Sequence, residues 1–92
     1  MSAVAWTLEL SPAFERDYAK LCGRNAGFRR AVDRKIEQIL RDPLHYKPLR
    51  APLHGFRRVN VVGSFVLIFL PIESEDVVRL ITLAHHDQAY RI

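Results

Sequence analysis

The sequence predicts an α+β domain of order β-α-α-β-β-β, a mainly antiparallel sheet with a helical hairpin on one face. Three observations predict it. An alternating apolar segment opens the chain, two stretches with helical spacing follow, and three β-rich runs separated by short turns fill the C-terminal half. Ninety-two residues make one domain, 1–92, with one core, because a chain this short buries only about 60–65% of the surface it exposes when unfolded. The hairpin can cover one face of the sheet, so the other face is where a site can lie.

The first strand runs from Val4 to Leu10, with Val4, Trp6, Leu8 and Leu10 on its apolar side and Ala5, Thr7 and Glu9 on the other. Ser11-Pro12 starts a helix, Ser11 as N-cap and Pro12 at the first helical position, with Glu15 favourable in the first turn. Phe14, Tyr18 and Leu21 carry this helix over roughly Pro12–Leu21. Gly23 to Gly27 is a turn in which Asn25 is a candidate cap. The second helix spans about Ala26–Arg41 on the stripe Phe28, Val32, Ile36, Ile39 and Leu40. Asp42-Pro43 ends it, because the residue before proline is pushed out of helical geometry. Three of the five prolines (Pro43, Pro48, Pro52) then mark a long loop, and loops of this length are often functional. Strands follow at about Arg57–Val62, Ser64–Leu70 and Val77–Ala84, joined by Gly63-Ser64 and by Glu73-Ser74-Glu75-Asp76.

Charge and composition narrow the function. The net charge is +4, and the basic residues are concentrated. Eleven of the fourteen Lys and Arg lie between Lys20 and Arg58, opposed there only by Asp33, Glu37 and Asp42. Such a surface suits a polyanion or an acidic partner protein, or is simply a solvated helix face. The lone Cys22 cannot form an internal disulfide, which fits a reducing, cytoplasmic setting. The N-terminus has no basic segment followed by an apolar signal core, and Phe65 to Ile72 is too short to cross a bilayer, so no membrane association is expected. The four glycines are isolated and cannot form a phosphate-cradling loop. The four histidines have no repeating ligand spacing, so neither metal nor cofactor is expected.

Three segments concentrate residues able to do chemistry. They are Lys47-Pro48-Leu49 with Leu53-His54-Gly55-Phe56-Arg57-Arg58, then Gly63-Ser64-Phe65-Val66-Leu67-Ile68-Phe69, then His85-His86-Asp87-Gln88-Ala89-Tyr90. In this order the K-P-L…L-x-G-F-R-R run, the G-S-F-V-L-I-F strand and the terminal H-H-D-x-x-Y resemble the RelE/ParE toxin superfamily. The likeness is to RelE-type toxins of the archaeal branch and to those with a catalytic histidine near the C-terminus, and it covers essentially the whole chain. It implies a RelE-like, microbial-ribonuclease-type fold and a toxin of a type II toxin–antitoxin system. The implied activity is metal-independent endoribonuclease cleavage of mRNA on the ribosome, with the ribose 2′-hydroxyl attacking the adjacent phosphate. That reaction needs a base, an acid for the leaving 5′-oxygen, and cations around the phosphorane.

The resemblance assigns His86 as general acid or base, since an unperturbed histidine titrates near a pKa of about 6.5. It also assigns Tyr90 to base stacking or proton shuttling and Lys47 to phosphate charge. Alternation puts Arg58 and Asn60 on the uncovered face with His86, and Arg57 with Val59 and Val61 on the helix side. Arg58 joins the catalytic set, and Arg50, Arg57, Asn60, Ser64 and Arg91 are the expected RNA-binding residues. His85 is expected on the opposite face from His86, as a structural residue, unless the chain turns there. Asp87 either orients His86 or caps a turn. Phe65 is expected in the core. One position departs from the family pattern: many RelE toxins carry an arginine where this chain has Val66. The implied partners are a RelB-like antitoxin, laying an acidic, partly helical segment on the basic surface or a hydrophobic groove, and operator DNA for the toxin–antitoxin complex. Two rivals share the fold: a ParE-like toxin that poisons DNA gyrase by binding alone, and an inactive, antitoxin-bound corepressor, which Val66 and Asn60 would suit.

Overall fold

Local chemistry fixes the start of the chain. In the computed structural model, which describes residues 5–90, strand β1 (Thr7–Leu10) passes through Ser11 into helix α1 (Pro12–Cys22). The Ser11 hydroxyl accepts the Phe14 N–H at 3.0 Å, and Pro12 sits in the first turn. Asn25 does the same for helix α2 (Ala26–Arg41), its side-chain oxygen accepting the Phe28 N–H at 2.9 Å. Both caps satisfy an amide that the helix itself leaves unpaired. The bounds of α2 are those the sequence predicts, and Asp42-Pro43 ends it in a short 3₁₀ turn, Pro43–His45.

Strands β2 (Arg57–Asn60), β3 (Phe65–Ile72) and β4 (Val77–His85) form an antiparallel meander, and β1 joins β4 in parallel. The sheet is therefore mixed, in the order β1-β4-β3-β2. The β2–β3 turn needs a left-handed residue, supplied by Gly63 at φ 58° with no atom within 4 Å of where a Cβ would stand. Val4 and Arg91 lie outside the described residues. β1 is also not half-buried as the alternation predicts. It is an edge strand, and Leu8 and Leu10 each remain 39% exposed beside the hairpin.

β4 outruns its parallel partner, and α1 takes over where β1 stops. The Ser11 N–H donates to the Leu80 carbonyl at 3.0 Å, and its hydroxyl donates to the Ile81 carbonyl at 2.7 Å. The Asp17 carboxylate accepts the Leu83 N–H and the Thr82 hydroxyl, both at 3.1 Å. Backbone groups at a strand edge need such partners when water cannot reach them. On the other side of β4, the register with β3 shifts between Ile68 and Phe69, leaving Ile81 unmatched. This bulge lets Leu80 and Leu83, three residues apart, both enter the core under the helices.

That core joins Phe14, Cys22, Val32, Ile39, Leu67, Phe69, Val78, Leu80 and Leu83. The opposite face is not bare. Val66, Ile68 and Ala89 are buried there, with Leu49, Phe56, Ile81, Ala84 and Tyr90 packed around them. The cover comes from the loop before β2, held by the Leu49 N–H donating to the Phe56 carbonyl at 2.8 Å, and from a one-turn helix, α3 (His86–Ala89), absent from the sequence reading. Four residues are too few for a helical period to register, and burial of Ala89 holds the turn in place. No helix among the described residues is long and apolar enough to cross a membrane.

Candidate active site

The second face stays open at one end, where β2, β3 and the β4–α3 junction meet. A cavity of about 370 Å³ lies there, lined by Arg58, Asn60, Gly63, Ser64, Val66, His85, His86 and Asp87. β2 alternates as predicted, with Arg57 and Val59 half-buried and Arg58 and Asn60 exposed. The His86 N–H donates to the Ser64 carbonyl at 2.6 Å, tying the start of α3 to the β2–β3 turn. The last turn of chain is thereby fixed against the site.

Two imidazoles share one carboxylate. His86 Nδ1 lies 3.5 Å from Asp87 Oδ1, and His85 Nδ1 lies 3.6 Å from Asp87 Oδ2. His85 is extended and is the N-cap of α3, its Nδ1 accepting the Asp87 N–H at 3.3 Å. His85 is the last residue of β4, paired with Phe65 on the helix side, and because the chain turns into α3 directly after it, it also borders the cavity that His86 lines. Its other neighbours are the Phe65 ring, edge-on at 5.8 Å, and a second hollow bordered by Asp17, Lys20 and Gln88. The cap expected of Asp87 is supplied by His85 instead, which accepts the Asp87 N–H, while the Asp87 carboxylate faces His86.

Tyr90 is half-buried against Val66, Ile68 and Ala89, and it also meets the His86 ring edge-to-face at 5.8 Å. Phe65 packs edge-on against Phe28 at 5.1 Å, on the core side. Lys47 is exposed and does not border the cavity. The bridge between Pro48 and Arg57, continued one residue, sets it opposite Arg58 on the outer side of β2. Arg50 is exposed in the turn closed by the Leu53 N–H to its carbonyl at 2.9 Å. Arg57 is on the far face, as alternation predicts. Its guanidinium donates to the carbonyl of Leu44 at 3.1 Å and to that of Tyr46, so it holds the loop and does not reach the cavity.

The arrangement therefore offers an anion one guanidinium, two imidazoles with their Nε2 atoms not used by Asp87, and the Asn60 and Ser64 side chains. Among the described residues no carboxylate pairs with Arg58, and no three His, Cys, Asp or Glu side chains group closely enough to hold a metal ion.

Residues 8–90 match the family described as ParE toxin of type II toxin–antitoxin system, parDE. The chain is 36% identical over 86 residues to a candidate toxin, RelE4, of Methanocaldococcus jannaschii, covering 94% of this chain and 92% of that one. The fold superposes on the YoeB/ParE toxin from Agrobacterium tumefaciens with a TM-score of 0.79 at 15% identity, over 87% of this chain and 98% of that one. It superposes on the toxin–antitoxin complex RelBE2 of Mycobacterium tuberculosis with a TM-score of 0.71 at 25% identity, over 89% and 99%.

Proposed function

The chain belongs to the RelE/ParE superfamily of toxins of type II toxin–antitoxin systems, and from that footing we propose that it is an endoribonuclease that cuts mRNA on the ribosome without a metal. The observation that carries this reading is the cavity itself, where His86, Asp87 and Arg58 meet on the sheet face away from the hairpin. His86 takes a proton from the ribose 2′-hydroxyl, and Asp87 steadies its Nδ1 side. Arg58 meets the phosphate charge by the two-pronged hydrogen bonding open to a guanidinium. Asn60 and Ser64 position the phosphate, and Tyr90, edge-on to His86, offers its exposed part for a base to stack on. Lys47 and Arg50 extend the basic track for the RNA backbone, and Arg91, outside the described residues, is assigned to RNA binding from the sequence alone. The position of Val66 on the cavity wall leaves Arg58 as the main phosphate ligand. The ribosome supplies the bent substrate geometry that such a sparse site does not impose.

The toxin is held in check by an antitoxin, and the complex of the two binds operator DNA. A groove of about 480 Å³ between β1 and the hairpin, lined by Leu8, Leu10, Phe14, Tyr18 and Ile36 with Asp33 and Glu37, suits the apolar part of an antitoxin segment. The segment's acidic part fits the basic surface and not this groove, whose own charges are negative.

The ParE name of the matched family favours a second reading, gyrase poisoning by binding alone. A binding toxin has no use for paired proton-transfer groups in one cavity. Inducible expression in a bacterial host separates the two. Growth arrest with translation-dependent cuts inside codons, both lost in His86→Ala, is the expected result. Arrest with intact mRNA and lost DNA supercoiling moves the assignment to gyrase, and undiminished arrest in His86→Ala removes His86 from the site.

A further inference from the structure

A cleavage of this kind moves two protons, one off the 2′-oxygen and one onto the 5′-oxygen, and the residues read from the sequence supply one histidine for both. Asn60 and Val66, the other side chains on the facing strands, cannot donate or accept a proton near neutral pH. The second imidazole at the cavity wall is that of His85, and imidazole is the side-chain group suited to giving or taking a proton near neutral pH.

We propose that His85 and His86 are an acid–base pair of adjacent residues arranged about Asp87, with His86 as base and His85 as acid. The proposal rests on the ribonuclease reading above. Its geometry comes from the strand ending at His85. With β4 stopping at His85 and α3 starting at His86, both Nδ1 atoms face Asp87 and both residues border the cavity. In the neutral form His85 Nδ1 caps the Asp87 N–H. In the protonated form the same nitrogen carries hydrogen and turns to the Asp87 carboxylate, already 3.6 Å away.

The protons and bonds balance. The 2′-hydroxyl gives its proton to His86 Nε2 as its oxygen bonds to phosphorus. The bond from phosphorus to the 5′-oxygen breaks, and that oxygen takes the proton from His85 Nε2. The products are a 2′,3′-cyclic phosphate and a 5′-hydroxyl; His86 leaves protonated and His85 neutral, and solvent resets both. The charges facing His85 are mixed. Asp87 on α3 and Asp17 on α1 favour its cationic form, whereas Lys20 on α1, Arg58 on β2 and a protonated His86 oppose it.

The alternative is that His85 only caps α3, and asparagine distinguishes the two roles. Asn is among the best N-cap residues, so His85→Asn keeps the turn while removing the proton. The experiment follows single-turnover cutting of an mRNA on ribosomes by the wild type, His85→Asn and His86→Ala between about pH 6 and 9, where histidine acids and bases titrate. Wild type should give a bell. His85→Asn should unfold at the wild-type temperature, cut about a hundredfold more slowly or worse, and lose the fall at high pH, which reports the acid. Near-wild-type cutting by His85→Asn, or slow cutting with the high-pH fall intact, overturns the proposal while leaving the ribonuclease reading standing. A wild type that cuts no RNA overturns both.

Discussion

Tyr18 donates its phenolic proton to Asp33 at 2.7 Å, and its burial together with that carboxylate pushes its pKa up to about 12. A phenol harder to ionise when folded than when unfolded favours the fold below pH of about 10 and loses that contribution as pH rises through about 12. The stability difference between wild type and Tyr18→Phe should therefore shrink between those values in denaturant titrations; a constant difference would show that the phenol contributes through packing alone. Other single residues differ in how legible they are. Arg58 and Asn60 follow from alternation along β2, because a strand's period of two fixes which side chains share a face. Arg57 also faces where alternation puts it, but its bonds to the Leu44 and Tyr46 carbonyls come from a loop whose path no periodicity encodes. The surroundings of His85 are only partly legible for a related reason. Alternation predicts while the strand lasts, which puts His85 beside Phe65, but the turn into α3 directly after it brings it to the cavity edge as well.

Among the elements, the caps were the most readable feature, since Ser11 and Asn25 act through bonds three residues away. Ser11 also does something the local sequence does not encode, donating to Ile81, seventy residues on. Ser11→Ala should thus cost more than an ordinary cap, about 1–2 kcal/mol for the cap and roughly 1 more for the strand-edge bond. Chemical denaturation reads this directly, and a loss well under 1 kcal/mol would mean that water replaces both partners. The bulge at Ile81 and the helix α3 were not readable. Each depends on packing against the far half of the chain, one to set Leu80 and Leu83 on the same face and the other to bury Ala89.

Over the whole molecule, the division of the sheet into a helix-covered face and a working face is what the order of elements predicts. The working face is itself half covered, by Leu49, Phe56 and Tyr90, and this confines the chemistry to one end, where the first and last segments of the motif meet across β3. The apolar groove shares no lining residue with the cavity, so a proposed antitoxin segment seated in the groove would leave the cavity to be covered by a different part of the same partner. The proposed breakage of RNA in this cavity by 2′-oxygen attack is tested most directly by the chemistry of the cut ends, using one mRNA translated in a purified system with the wild-type chain. The expected downstream fragments carry a 5′-hydroxyl, labelled by polynucleotide kinase without prior phosphatase treatment, and the expected upstream fragments end in a 2′,3′-cyclic phosphate. Uncut mRNA, or fragments bearing a 5′-phosphate, would contradict it.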